Sequence, residues 1–239
     1  MSEWAAKRFW KEATVGGEAG AHVVLLDGRP IRTPSRALLA LPTRALAAAV
    51  AEEWDRQEEI IRPTTMPMTR FANTAQDRVA PELDAVARMV AAYGETDLLC
   101  YRAEGPAELV RRQGEAWDPL LDWAAERFGA RLHPTAGVVP VAQPADALDR
   151  LAVAVMDRSP WRLTALHELV VLTGSLVAGL AVAEGARTPE EAWTLSRIDE
   201  DWQIAQWGSD SEAEAAVARR KAEFLEAVRF DRFLTGAVH

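Results

Sequence analysis

The sequence is poor in the residues from which metal centres and disulfides are built. It contains 1 cysteine, Cys100, and 4 histidines in 239 residues. A single cysteine excludes an internal disulfide and a cysteine-built zinc site, and it is typical of a protein from a reducing compartment. His167 and Glu168 begin like the zinc motif H-E-x-x-H, but Val171 stands where the second histidine belongs. We therefore expect no metal and no cofactor.

Motifs of catalysis and nucleotide binding are also missing. The sequence has no nucleophile elbow, Walker loop, dinucleotide fingerprint or EF-hand loop. Gly16, Gly17 and Gly20 are not followed by G-K-[ST], and we interpret them as turn glycines. The three consecutive acids at 199–201 point to different sides of a helix, so they cannot act together as acid and base. We predict that the protein is not an enzyme.

Positive charge is scarce, with 27 Lys and Arg against 36 Asp and Glu. This balance argues against nucleic-acid binding, which needs clustered basic residues. The apolar run 163–183 is long enough to span a bilayer, but it contains His167 and Glu168, so we predict a buried helix. The first ten residues resemble neither a secretory signal nor a mitochondrial presequence. We expect a cytoplasmic monomer without membrane insertion.

The residues that are present predict an α+β fold. Asp27-Gly28 between two apolar runs predicts a hairpin in a small antiparallel sheet, with Gly28 as a structural residue. Thr43 is a good N-cap for a helix that carries Trp54 on its core side. Prolines then interrupt the chain, and helical patterns follow. We predict a small N-terminal β domain with one packed helix at 1–64 and a larger C-terminal α-helical domain at 65–239.

The clearest helix signal covers residues 188–207. Thr188 is a good N-cap, Pro189 suits the first helical position, and Glu191 completes a capping box. Gly208 is the expected stop. The spacing predicts one continuous helix whose core face consists of Leu195, Ile198, Trp202 and Ala205.

The opposite face of this helix is unusual because it combines aromatic residues with a carboxylate. Trp193, Ile204 and Trp207 gather around Glu200, and Gln203 lies beside them. One interpretation is that the tryptophans belong to the core and that Glu200 pairs with an arginine. The other is a protein-recognition face, because tryptophans anchor interfaces and a single carboxylate fixes their register. The residues alone leave both open.

Four blocks of the sequence carry a family resemblance. They are L-L-D-G-R-P-I-R-T-P at 25–34, A-E-E-W-D-R-Q at 51–57, Q-G-E-A-W-D-P-L-L-D-W at 113–123 and L-S-R-I-D-E-D-W-Q-I-A-Q-W-G at 195–208. In this order they resemble the ATP-twelve chaperones, the assembly factors for the soluble catalytic head of the F-type ATP synthase. The likeness extends over nearly the whole chain.

The resemblance implies an ATP-independent chaperone of bacterial origin that binds the free alpha subunit of the synthase before the beta subunit does. By analogy Glu200 is the functionally sensitive acid and Trp54 the sensitive tryptophan of the first domain. Two alternatives remain. One is a hydrolase or transferase with a pocket between the domains that uses His167, Glu168 and Glu200. The other is a structural adaptor that stays in the finished complex.

Overall fold

The fold begins with a small antiparallel sheet and continues as a mainly helical chain. The computed structural model describes residues 7–18, 21–137 and 139–236, so the predicted turn residue Gly20 lies outside the described residues. The predicted α+β class is confirmed.

The strands are β1 (Ala13–Glu18), β2 (Ala21–Leu26), β3 (Arg29–Pro30), β4 (Tyr101–Arg102) and β5 (Thr135–Ala136). The helices are α1 (Arg44–Asp55), α2 (Pro67–Thr74), α3 (Leu83–Ala91), α4 (Ala107–Phe128), α5 (Ala145–Met156), α6 (Pro160–Thr173), α7 (Leu176–Ala183), α8 (Pro189–Leu195), α9 (Ile198–Trp207) and α10 (Ser211–Thr235). Short 3-10 segments occupy Pro63–Thr65, Ala92–Thr96 and Leu98–Cys100, and a π-helical segment occupies Ala75–Val79.

The predicted hairpin joins β2 to β3, and Leu26 lies opposite Arg29 in its register. Asp27 and Gly28 both have positive φ, at 48° and 80°, as a two-residue type I′ turn requires. The Asp27 carboxylate accepts the backbone N–H groups of Glu12 and Lys11, which lowers the pKa of Asp27. These bonds fix the non-glycine residue of the turn in its left-handed conformation.

The first of two compact units contains residues 1–83, 160–165 and 229–239. It therefore extends past the boundary predicted after Thr64 and includes two segments that are distant in sequence. Aromatic packing explains their inclusion, since the ring of Phe230 lies 5.2 Å from that of Phe71 and 6.5 Å from that of Trp161. In the same core Trp54 is partly buried, and its ring lies 5.2 Å from that of Trp10.

The second unit contains residues 84–159 and 166–228. The prediction of a single buried helix over residues 163–183 is wrong, because α6 ends before Gly174 and α7 begins after Ser175. Gly174 has a φ of 70°, and the Ser175 hydroxyl accepts the N–H of Ala178 at 2.9 Å as the N-cap of α7. None of the helices formed by the described residues combines the length and apolarity that crossing a bilayer requires.

The prediction of one continuous helix over 188–207 is also wrong, although its capping box is present. The carbonyl of Leu195, which would accept the N–H of Asp199 in an unbroken helix, instead accepts the buried indole N–H of Trp117 at 2.8 Å. The Ser196 hydroxyl donates to the carbonyl of Trp193 at 2.8 Å. Side chains thus satisfy the last carbonyls of α8, and α9 begins as a separate helix.

Candidate protein-recognition face on helix α9

Helix α9 lies at the surface, and none of its residues is buried. At about 100° per residue, Glu200, Gln203, Ile204 and Trp207 share one side of the helix. Two of them are apolar and exposed, with 38% of Ile204 and 80% of Trp207 accessible to solvent, and Trp207 is the most exposed large apolar residue in the described part of the chain. We call these four residues the α9 face.

Glu200 is exposed at the centre of the α9 face. Within the described part of the chain, its carboxylate has neither a hydrogen-bond partner nor an ion pair. The interpretation in which Glu200 pairs with an arginine inside the core therefore does not hold for this structure. An exposed carboxylate without an internal partner is free to accept hydrogen bonds from another molecule.

Trp193, which we predicted on the same face, lies elsewhere because the helix is broken before α9. Only 5% of Trp193 is exposed, and its ring lies 5.6 Å from that of Phe224. The guanidinium of Arg197 stands 5.8 Å from the centre of the Trp193 ring and forms an ion pair with Asp201 at 3.2 Å. Trp193 is therefore mostly buried beneath the start of α9 and does not belong to the exposed face of that helix.

The predicted core side of the helix is only partly correct. Leu195 is buried, Ile198 and Trp202 are half-buried, and Ala205 is exposed. Helix α9 rests on α4 through two polar contacts. The amide of Gln113 donates to Asp199 at 2.6 Å, and the guanidinium of Arg112 lies 5.1 Å from the Trp202 ring. The C-terminal half of α9, including Trp207, is consequently exposed on all sides.

A small depression of about 160 Å³ lies beside Glu200. Trp193, Arg197, Gly174 and Arg220 contribute to its lining, and the Arg220 guanidinium also donates to a backbone carbonyl of α6 at 3.1 Å. The volume suits one side chain of a partner rather than a metabolite, because ligand pockets usually measure about 300–1,000 Å³.

The enzyme alternative required His167, Glu168 and Glu200 to converge. The depression beside Glu200 is not lined by either of the other two residues. His167 instead places its Nδ1 atom 3.3 Å from the carboxylate of its sequence neighbour Glu168. Across residues 7–18, 21–137 and 139–236, no group of His, Cys, Asp and Glu side chains is arranged to hold a metal ion.

Negative charge is concentrated in the second unit. Its sequence contains 13 Lys and Arg against 24 Asp and Glu, whereas the first unit contains 14 against 12. The stretch 198–218, which includes α9, has 6 acidic residues and no Lys or Arg. The unit that contains the α9 face is therefore negatively charged as a whole, which favours the approach of a basic surface, although Arg197 and Arg220 also line the depression beside Glu200.

Comparison with known proteins identifies relatives along nearly the whole chain. Residues 7–125 match the family model described as ATP12 chaperone protein. The mitochondrial protein atp12 of Schizosaccharomyces pombe is 26% identical over 219 residues, which cover 87% of this chain and 75% of that protein.

Two solved structures are more similar to this chain than the Schizosaccharomyces pombe protein is. The crystal structure of Atp12 from Paracoccus denitrificans is 51% identical, with a TM-score of 0.93 over 97% of this chain and 100% of that chain. A chaperone candidate from Agrobacterium tumefaciens is 44% identical, with a TM-score of 0.90 over 95% of this chain and 86% of that chain. With half of its residues shared and the same fold over the full length of the Paracoccus protein, the chain belongs to the ATP12 chaperone family and is not an enzyme.

Proposed function

We propose that this chain is an ATP-independent chaperone of the bacterial cytoplasm that binds the free alpha subunit of the F-type ATP synthase and promotes assembly of the catalytic head. Family membership and the sequence resemblance support the assembly role. The structural observation that carries the proposal is the α9 face, where the exposed side chains of Ile204 and Trp207 flank a carboxylate without an internal partner.

An exposed tryptophan is costly for a monomer, because its large apolar ring remains in water. Burial of Trp207 and Ile204 against a partner would remove this cost, and tryptophans are among the residues that dominate interface energies. Glu200 would accept charge-assisted hydrogen bonds from an arginine, a lysine or backbone N–H groups of the partner. An unassembled subunit exposes the apolar surface that such a face can cover until assembly.

The first prediction concerns Glu200. We expect Glu200→Lys to weaken binding to purified alpha subunit at least tenfold, which corresponds to about 1.4 kcal/mol, because attraction is replaced by repulsion. Titration calorimetry measures the affinity, and circular dichroism checks the fold. Glu126→Lys is the matched control, since Glu126 is an exposed acid of α4 in the same unit and the charge change is identical.

Two results would contradict the proposal. Equal affinities for wild type, Glu200→Lys and Trp207→Ala would remove the α9 face from the interface. Failure of the wild-type chain to bind alpha subunit would remove the partner itself. A pull-down that retains alpha without beta distinguishes a chaperone from an adaptor that remains in the finished complex.

A further inference from the structure

The second unit also contains a groove, which is separate from the depression beside Glu200. It lies between α4 and α8 and extends to the start of α9. Its volume is about 520 Å³, and Ala116, Leu195 and Ile198 provide apolar lining. Ile198 and Glu200 are separated by about 200° around α9, so the groove opens on the opposite side of this helix from the α9 face. The volume of the groove is about three times that of the depression beside Glu200.

The rim of the groove is mainly acidic. Glu115, Glu190 and Glu191 line it together with Arg187. Two of these carboxylates already have partners, since Glu115 pairs with Arg111 at 2.6 Å and Glu191 accepts the backbone N–H of the helix cap at 2.8 Å.

Glu190 differs from the other acids of the rim. It is exposed, and its carboxylate has no hydrogen-bond or ion-pair partner among the residues that the structure describes. Its backbone carbonyl accepts the hydroxyl of Thr194 at 2.9 Å, which is an ordinary contact within α8. A negative charge without an internal partner therefore stands beside an apolar floor.

A proline of α4 also lines the groove. Pro119 lies inside α4 and lines the groove beside Glu115. Because proline has no N–H, it cannot donate to the carbonyl four residues earlier, which belongs to Glu115. That carbonyl oxygen therefore lacks the N–H donor that a regular α-helix would provide.

We propose that this groove binds a segment of the client polypeptide in which a lysine or arginine is flanked by apolar side chains. The proposal rests on the proposed function, because it takes the client to be a protein. Apolar side chains would cover Ala116, Leu195 and Ile198, while the cation would contact the carboxylate of Glu190. The negative excess of the whole unit favours a basic segment over an acidic one.

The groove would give the client a second point of attachment in addition to the α9 face. Two weak sites on one molecule hold a client more tightly than either site alone, since the second binding event is intramolecular. A client engaged at both sites could also be released in steps.

The test uses charge reversal at the rim. We expect Glu190→Lys to weaken binding of purified alpha subunit about tenfold, with a smaller difference at high salt, whereas Glu126→Lys leaves the affinity within about twofold. Thr194→Arg is a second variant, because Thr194 is exposed and an arginine there would place the proposed cation on the groove itself. If both groove variants bind like Glu126→Lys while wild type binds alpha, the groove is not a client site and the proposed function stands.

A second measurement does not depend on the alpha subunit. The isotopically labelled full chain is titrated with a peptide of alternating leucine and arginine, and with its counterpart that has glutamate in place of arginine. We expect amide shifts at Ala116, Thr194 and Ile198 with the basic peptide, and their loss in Glu190→Lys. Shifts spread over the acidic surface, or equal shifts with both peptides, would contradict the proposal that the groove binds a basic segment. If the basic peptide shifts the groove residues but the alpha subunit does not bind, the groove remains a binding site for a basic segment and the alpha subunit is not the client.

Discussion

The buried carboxylate of Asp97 connects two elements of the second unit. It accepts the backbone N–H of Leu99 and that of Val177, each at 3.0 Å, and so links a 3-10 segment to the first turn of α7. Burial raises the pKa of Asp97, while these hydrogen bonds act in the opposite direction. Burial, together with the nearby Asp97, also raises the pKa of Cys100 to about 12, which keeps this thiol protonated and unreactive.

The raised pKa of Asp97 predicts a pH dependence of stability. In the unfolded chain the group titrates near its ordinary value of 3.8, and in the folded chain at a higher pH. Its contribution to stability is therefore complete below 3.8 and is lost as the pH rises through the folded pKa. We expect the unfolding free energy of wild type minus that of Asp97→Asn to decrease from acidic to neutral pH.

Urea unfolding followed by circular dichroism measures this difference across the pH range. A difference that increases with pH would show that the backbone donors outweigh the burial of the charge. Asp97→Asn keeps the side-chain volume, so cavity formation does not complicate the comparison.

Predictions for single residues were correct where the conformation depends on neighbours in sequence. They were wrong where the exposure of a side chain depends on another helix that packs against it. Asp27, Gly28 and Thr43 have the conformations expected from their turn and cap signals. Trp193 and Trp207 belong to the same predicted face, yet one is 5% and the other 80% exposed. Periodicity places a residue on a side of a helix, but it does not reveal whether another helix covers that side.

At the scale of elements, two predicted helices are each divided into two. The break at Gly174 had a local signal, because Thr-Gly-Ser combines a residue suited to positive φ with a cap. The break after Leu195 had none, since no glycine or proline stands there. Its cause is the indole N–H of Trp117, a contact across 78 positions of sequence that no local pattern contains.

Two glycines in the second unit allow a matched test of the helix break at Gly174. Gly174 has a φ of 70°, so Gly174→Ala should destabilise the protein by about 1–2 kcal/mol even though an added Cβ would meet only Leu98 at 3.8 Å. Gly114 lies inside α4, where an added Cβ would make an ordinary contact with Asp118 at 3.5 Å. Gly114→Ala should therefore stabilise the protein by about 0.5–1 kcal/mol.

Urea unfolding midpoints of the two variants and wild type show whether each substitution raises or lowers the stability. The substitution is chemically identical at the two positions, so only the backbone conformation differs. A destabilisation at Gly114, or none at Gly174, would contradict the assignment of these conformations.

At the scale of the whole molecule, charge is divided unequally between the two units. The second unit, which also contains α9 and the acidic groove, has 24 acidic against 13 basic residues, whereas the first unit has 12 against 14 and a small basic excess. The composition alone gave the net charge of −9. The aromatic packing that adds residues 160–165 and 229–239 to the first unit is not visible in a linear sequence, and it adds three arginines and one aspartate to that unit.

This charge distribution predicts how client binding depends on salt. Long-range attraction of a basic client by the second unit accelerates association, and salt screens it over distances of about 8–10 Å. We expect the association rate with alpha subunit to fall at least tenfold between low and high salt, while the dissociation rate changes little. Surface plasmon resonance measures both rates. A constant association rate, or a change confined to dissociation, would contradict electrostatic attraction.

The shallow attachment of α9 has a consequence for affinity. A peptide of ten residues forms a helix only marginally in water, and no residue of α9 is fully buried, so contacts with α4 such as those of Gln113 and Arg112 contribute to its order. Contacts made by the client on α9 would accordingly add to the stability of this helix. How tightly the chaperone holds its client is then governed in part by a helix that the client need not contact.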